Sequence, residues 1–313
     1  MRVLVTGGAG FIGSNTVDAL IAQGHRVSVV DNLVTGFREQ VHPQASFYEV
    51  DITDADALRS VFDRERPEAV VHLAAQMDVR VSTREPVYDA RVNVLGSLNV
   101  LEAAVATGTR KIVYASSGGA IYGEPESLPV REDHPVRPLS PYGVTKHTVE
   151  HYLFLYAHER GLAHTALRYA NVYGPRQNPA GEAGVVAIFT RNLLLGLPCR
   201  IFGDGRQTRD YVYVGDVVAA NLAALDRADG ESLNIGCGVE TSVLDIYRDL
   251  ALACGVEAPP RHEPERPGEV QRICLDPGLA AERLGWRPAV ALPDGLRRTV
   301  EYLRSAQAEG RLA

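Results

Sequence analysis

The sequence predicts an α/β fold: a doubly wound parallel sheet followed by a smaller C-terminal lobe. Two observations carry that prediction. The first is alternation: β-branched runs at 3–6, 27–30, 46–50, 69–73 and 111–115 are separated by stretches of helical period and length at 11–23, 55–64 and 87–107. Strand and helix repeating at that spacing build parallel strands with crossover helices on both faces. The runs do not alternate in polarity, as in Val70-Val71-His72-Leu73, because a parallel strand is covered on both sides. The second is a change of texture after about residue 170, where Gly174-Pro175, Asn178-Pro179, Gly203-Asp204-Gly205 and Pro259-Pro260 cut the chain into shorter elements. The expected division is a first domain at 1–170 and a lobe at 171–313, with a segment near 211–240 returning to the first sheet.

Composition narrows the function. The 313 residues are 45% hydrophobic and 23% charged, ordinary for a globular chain, and a net charge of −7 leaves no basic face for nucleic acid. Cys199, Cys237, Cys254 and Cys274 form no C-x-x-C pair, so neither a zinc site nor a disulfide framework is spelled, which fits a reducing cytoplasm. The first residues run directly into the first strand, and no window approaches 18 apolar residues, so neither a targeting segment nor a membrane contact is expected. Of 32 basic residues only Lys111 and Lys146 are lysine, which singles out both.

Taken in order, the strand ends carry the chemistry. Gly7-Gly8-Ala9-Gly10-Phe11-Ile12-Gly13 joins the first strand to the first helix and satisfies G-x-G-x-x-G from Gly8. Glycines there permit a tight turn, and a pyrophosphate can meet the helix N-terminus and its free N–H groups; in this strand-loop-helix context the motif marks a Rossmann dinucleotide site. Asp31 ends the second strand, followed by Asn32. A carboxylate there accepts from ribose hydroxyls and repels a 2′-phosphate, so the expected cofactor is NAD rather than NADP. Asp51-Ile52 after the third strand is placed to meet adenine. Leu73-Ala74-Ala75-Gln76 after the fourth lines the channel, since ligands lie at the carboxyl ends of the strands.

Tyr142 and Lys146 stand one helical turn apart, behind Ser140-Pro141, a helix start. An ammonium beside a phenol favours phenolate and brings its pKa, ordinarily near 10, toward neutrality, so Tyr142 can act as a base. His147 and His151 lie four apart on the same stretch, but no third ligand accompanies them and no metal is expected.

Together with Asn93, Ser116-Ser117-Gly118-Gly119-Ala120-Ile121-Tyr122-Gly123 and Arg168-Tyr169-Ala170-Asn171-Val172-Tyr173-Gly174-Pro175-Arg176, these motifs resemble the extended short-chain dehydrogenase/reductase family, and within it the UDP-glucose 4-epimerases. The resemblance runs nearly end to end. It implies an isomerase of carbohydrate and galactose metabolism, acting on UDP-glucose and UDP-galactose through a transient 4-keto sugar. It also implies a homodimer formed through helices near the tyrosine. By the same resemblance, Tyr142 is the base, Lys146 holds the nicotinamide ribose, and Asn93, Ser116 and Tyr169 line the cofactor. Asn171, Val186, Arg209, Arg266 and Glu269 bind the nucleotide sugar, the arginines suiting a diphosphate through paired charge-assisted hydrogen bonds.

Where family members carry a serine or threonine four residues before the tyrosine of the Y-G pair, this chain has Gly118, so Ser117 is assigned the hydroxyl that meets the sugar oxygen, with Ser116 as the fallback. Ile273 stands seven residues after Arg266, where a tyrosine restricts the family's sugar pocket. Its smaller size, with Gly118 and Gly119 opposite, predicts room for N-acetylated sugars. Related 4,6-dehydratases and decarboxylases place an acidic residue in the 118–121 stretch, and here there is none. A dinucleotide sensor without catalysis on the same fold is the other alternative, against which the Tyr142/Lys146 pair argues.

Overall fold

The computed structural model describes residues 1–179, 184–265 and 270–312. In chain order the first part comprises β1 (Arg2–Thr6), α1 (Phe11–Ala22), β2 (Arg26–Asp31), β3 (Ser46–Glu49), α2 (Ala55–Glu65), β4 (Ala69–His72), α3 (Val79–Arg84) and α4 (Pro86–Ala90). A π-helical turn at Arg91–Leu95 leads into α5 (Gly96–Thr107), β5 (Lys111–Ser117), α6 (Gly118–Ile121), α7 (Pro141–Arg160) and β6 (Ala163–Tyr169). There follow β7 (Asn171–Tyr173), α8 (Val185–Leu194), β8 (Arg200–Phe202), β9 (Thr208–Arg209), β10 (Tyr211–Tyr213), α9 (Val214–Ala224) and β11 (Glu231–Ile235). The last elements are β12 (Thr241–Ser242), α10 (Val243–Cys254), β13 (Arg261–Glu263), α11 (Gly278–Arg283) and α12 (Leu292–Ala308).

Seven parallel strands form the central sheet in the order β11-β6-β5-β4-β1-β2-β3. Strand order reverses between β1 and β4, which opens a crevice at their carboxyl ends. Thr6 pairs with Val30 on one side and His72 on the other, so the glycine turn, the Asp31 strand end and the 73–76 loop emerge side by side. Both faces are buried. Val3, Val5, Val29, Val71 and Val113 enter one core cluster, while Leu4, Val30, Val70 and Ile112 enter another on the opposite face. That division is why the strand runs are continuously apolar.

Two features depart from a strand-by-strand reading of the sequence. The helical stretch at 87–107 is two helices joined by the π turn, which buries Asn93. β6 belongs to the central sheet although its sequence, with His164, Thr165 and Arg168, has no apolar continuity; Glu150 neutralises Arg168 inside the protein. β11 pairs with β6, and Val217, Ala220, Leu233 and Ile235 join the β1 cluster, as do Leu284 and Trp286 near the C-terminus. A separate core gathers α8, α10 and α12 with Phe11 from α1. Lys111 is buried at the start of β5 and donates to Asp229 and to the Arg227 carbonyl, pinning the loop after α9 to the sheet.

Candidate active site

The glycine turn closes tightly on α1. A Cβ at Gly13 would stand 2.0 Å from the Gly7 carbonyl oxygen, and Gly7 has φ +70, so both positions require glycine. The turn, Phe11 and Ile12 line a cavity of about 570 Å³. Its walls continue past Asp31, Asn32, Asp51 and Ile52, along Leu73, Ala74, Ala75 and Gln76, to Ser116, Ser117, Tyr142, Lys146 and Tyr169. Asp31 accepts from the N–H groups of Ala9 and Leu33, both at 2.9 Å; burial raises its pKa and those two bonds oppose the shift. Asn32 donates to Asp51 at 2.7 Å, and Asn99 holds the Ile52 carbonyl at 2.9 Å. A run from a helix N-terminus past two carboxylates to a Tyr/Lys pair suits a dinucleotide, whose phosphates α1 could hold and whose ribose and adenine Asp31 and Asp51–Ile52 could meet.

Local sequence explains where Tyr142 sits. Ser140 caps α7 by accepting from the Gly143 N–H at 3.1 Å, and Pro141 occupies the first turn. A Cβ at Gly143 would lie 2.4 Å from the Ala120 carbonyl oxygen, so glycine lets the start of α7 press onto α6, directly after Ser117. Lys146, only 4% exposed, donates to the Ala115 carbonyl at 2.8 Å, and its Nζ lies 5.0 Å from the Tyr114 ring centre and 5.8 Å from that of Tyr142. Burial lowers the Lys146 pKa to about 8, with Asp89 pulling the other way.

One turn further along the same face, Glu150 holds Arg168 through bonds of 2.6 and 3.1 Å and accepts from Ser116 at 2.5 Å. Burial pushes the Glu150 carboxyl up, but His147, Arg168 and Ser116 around it more than reverse this and hold it at about 2. Ser116 therefore turns toward α7. Ser117 opens onto both this cavity and a second one of about 1310 Å³. Tyr142 and Asn171 also line both cavities, and the second is walled further by Gly119, Val185, Arg200, Arg209 and Tyr211.

Several residues singled out in the sequence lie elsewhere. Asn93 is buried behind the wall, where it accepts from the Gln76 N–H at 2.8 Å and donates to the Gln76 carbonyl at 2.9 Å, fixing the loop instead of lining the cavity. Val186 is 1% exposed and packs in the α8–α10 core; its neighbour Val185 faces the second cavity. Ile273 is 2% exposed in a cluster with Ile121, Tyr122, Val130 and Leu275, off the walls of both cavities. Nor does Gly118 leave space in the pocket, since a Cβ there would be 2.4 Å from Leu275 Cδ1. Arg266 and Glu269 lie outside the described residues. His147 and His151 face each other with Nε2 atoms 3.1 Å apart, and among the described residues no group of three or more metal-ligating side chains forms.

Sequence reasoning passed over Glu150 and Asp89. Their signal was nonetheless present: Tyr142, Lys146 and Glu150 repeat every four residues, as do Asp89 and Asn93, and a buried acid on such a face is worth a partner search.

A doubly wound sheet with its glycine turn, Asp31 strand end and Tyr/Lys helix converging on one crevice defines a dinucleotide-dependent enzyme of the short-chain dehydrogenase/reductase class. Residues 3–236 match the NAD dependent epimerase/dehydratase family, and the chain belongs to it. A UDP-glucose 4-epimerase of Mycolicibacterium smegmatis is 47% identical over 311 residues, covering 97% of this chain and 99% of that protein. Among solved structures, the UDP-glucose 4-epimerase of Thermotoga maritima with UDP-glucose is 50% identical, with a TM-score of 0.97 over 98% of this chain and 100% of that one. The Thermus thermophilus UDP-glucose 4-epimerase in complex with NAD is 47% identical, with a TM-score of 0.93 and the same coverages.

Proposed function

We propose that the protein is an NAD-dependent UDP-glucose 4-epimerase that interconverts UDP-glucose and UDP-galactose. The observation that carries this reading is Tyr142, which forms part of the wall of both cavities, with Lys146 behind it and Ser117 on the same shared boundary. Bound NAD supplies a reversible acceptor for the hydrogen at sugar C4. Tyr142 takes the proton from the C4 hydroxyl and later gives it back, while the Lys146 ammonium favours its phenolate. Ser117 donates a hydrogen bond to the same oxygen. The 118–121 stretch has no carboxylate to drive a further proton transfer, so the sequence of events ends where it began, with the configuration at C4 inverted.

The second cavity has the volume for the keto sugar to turn. Arg209 there, with Arg266, is assigned to the diphosphate, Glu269 to the ribose and Asn171 to the sugar side. Residues 1–170, with the returning segment near 211–240, are read as the NAD-binding part and 171–313 as otherwise mainly the nucleotide-sugar lobe. Exposed Leu95, Val144, Phe154 and Leu155 on the packed pair α5 and α7, with the turn before α5, support a homodimer through that face. Among the described residues no helix is long and apolar enough to cross a membrane, and the cytoplasm is the compartment proposed.

The test is incubation of purified protein with UDP-galactose and no added cofactor. UDP-glucose should form, and the denatured supernatant should contain NAD, because a cycle that restores its cofactor gains nothing by releasing it. Loss of water from the sugar, or activity that requires NADP, overturns the reading and the role given to Asp31.

A further inference from the structure

Asp89, on α4, is 0% exposed, and among the described residues no arginine or lysine is hydrogen-bonded to its carboxylate. A buried carboxylate without a bound cation is costly, and one that persists is expected to be satisfied by several donors and to act on its surroundings. Its three donors come from three different segments of the site. Gln76 donates to Oδ1 at 2.7 Å, Asn93 to Oδ1 at 3.1 Å and Thr145 to Oδ2 at 2.8 Å. Gln76 belongs to the cofactor loop, Asn93 to the π turn that holds that loop, and Thr145 to α7 between Tyr142 and Lys146. Thr145 is also 3.0 Å from the Tyr142 carbonyl, and Asn93 donates to Thr145 at 3.2 Å, so the hub is closed on itself.

The charges around Lys146 sharpen the point. On β4, burial keeps His72 neutral, with a pKa of about 3. On β5, burial raises Tyr114 well above the ordinary phenol range. On α7, the charge of Glu150 is matched by Arg168; before α3, Asp78 is matched by Arg80; Arg91 after α4 is exposed. Among the described residues this leaves Asp89 as the acid that acts on Lys146, opposing the lowering that burial imposes on its pKa.

We propose that Asp89 is a positioning residue, whose carboxylate gathers Gln76, Asn93 and Thr145 and sets the electrostatic balance of Tyr142 and Lys146. The role of Tyr142 in this statement rests on the proposed epimerase chemistry. Asp89→Asn separates charge from shape. The amide oxygen can still accept from Gln76 and Asn93, and the new amide can donate to Thr145, whose own proton then goes to the Tyr142 carbonyl.

Removing a negative charge lowers the pKa of any neighbouring group, phenol or ammonium. At an effective dielectric constant near 20, a unit charge several ångströms away moves a titration by about 1 to 2 pH units. In the NAD-loaded protein, the phenolate absorbance of Tyr142, isolated against Tyr142→Phe, should therefore rise at a pH lower by about that amount. Both limbs of the kcat profile with UDP-galactose should move to lower pH together. NAD content should stay at the wild-type level in Asp89→Asn and fall in Asp89→Ala, where the Gln76 loop loses its anchor.

An Asn variant whose phenolate titration and pH profile match wild type refutes the proposal, even if its melting temperature falls, since that is a purely structural effect. An Ala variant with normal NAD content refutes the gathering role. If wild-type protein does not convert UDP-galactose, the reaction assignment fails, while the phenolate titration still decides the case for Asp89.

Discussion

Ser116 and Ser117 are neighbours on β5, yet their substitution to alanine should have opposite signatures. Ser116 Oγ is buried 2.5 Å from Glu150, a carboxylate held ionised by its surroundings. A hydrogen bond to a charged group contributes about 1.5 to 3 kcal/mol. Because Arg168 still holds Glu150 through two bonds, Ser116→Ala should cost near the lower end, about 1.5 kcal/mol. In a chain of this size that lowers the melting temperature by about 2 °C. Turnover should change little. Ser117 is half-buried, lines both cavities and makes no side-chain hydrogen bond among the described residues, so Ser117→Ala should leave the melting temperature within about 1 °C. If its hydroxyl meets the sugar oxygen as charge develops there, kcat should fall by about 10²- to 10³-fold, as for other oxyanion donors. Thermal melts and steady-state rates with UDP-galactose on both variants decide the matter. A Ser116→Ala protein that keeps its stability and loses turnover would show that the hydroxyl in contact with the sugar is the one assigned here to Glu150.

Tyr142→Phe removes the base and little volume; kcat should drop by about 10²- to 10⁴-fold with NAD content retained, and near wild-type turnover would dismiss Tyr142 as the base. Ile273→Tyr should act through packing, because Ile273 is enclosed by Ile121, Tyr122, Val130 and Leu275. Overpacking of this kind costs about 1 to 3 kcal/mol, so the melting temperature should fall and activity toward plain and N-acetylated UDP-sugars should fall alike. Selective loss of the acetylated substrate at unchanged stability would return Ile273 to the sugar pocket. Acid stability offers a further check: His72 titrates near 6.5 when unfolded and at about 3 when folded, so between those values the unfolded chain binds more protons. Its contribution is fully present above pH 6.5 and is lost as pH falls toward 3. Asp210, raised by burial to about 6, works partly in the opposite direction. Melting curves from pH 7 to 4 should therefore show a smaller loss in His72→Gln than in wild type, and parallel curves would refute the assignment.

What the sequence determined by itself is whatever depends on neighbours along the chain. The glycine turn, Asp31 at a strand end and the four-residue step from Tyr142 to Lys146 are legible because strand, turn and helix geometry fix their relations within a few residues. The alternation of β-branched runs with helical stretches was enough for the sheet and its crevice, since continuous apolar strands have only one way to be buried on both faces. Tertiary structure decided the rest. Ile273 and Val186 are apolar, and no local pattern says whether such a residue faces a ligand or a core; Leu275 and the α8–α10 packing say so. Ser116 and Ser117 are interchangeable until Glu150, on a different element, claims one of them. β6 is a central strand because Glu150 supports the arginine inside it, and Asp89 is a hub because three donors from distant segments converge on it. Buried charges and polar groups are tolerated only with partners, and partners that lie far apart in the chain meet only when it folds.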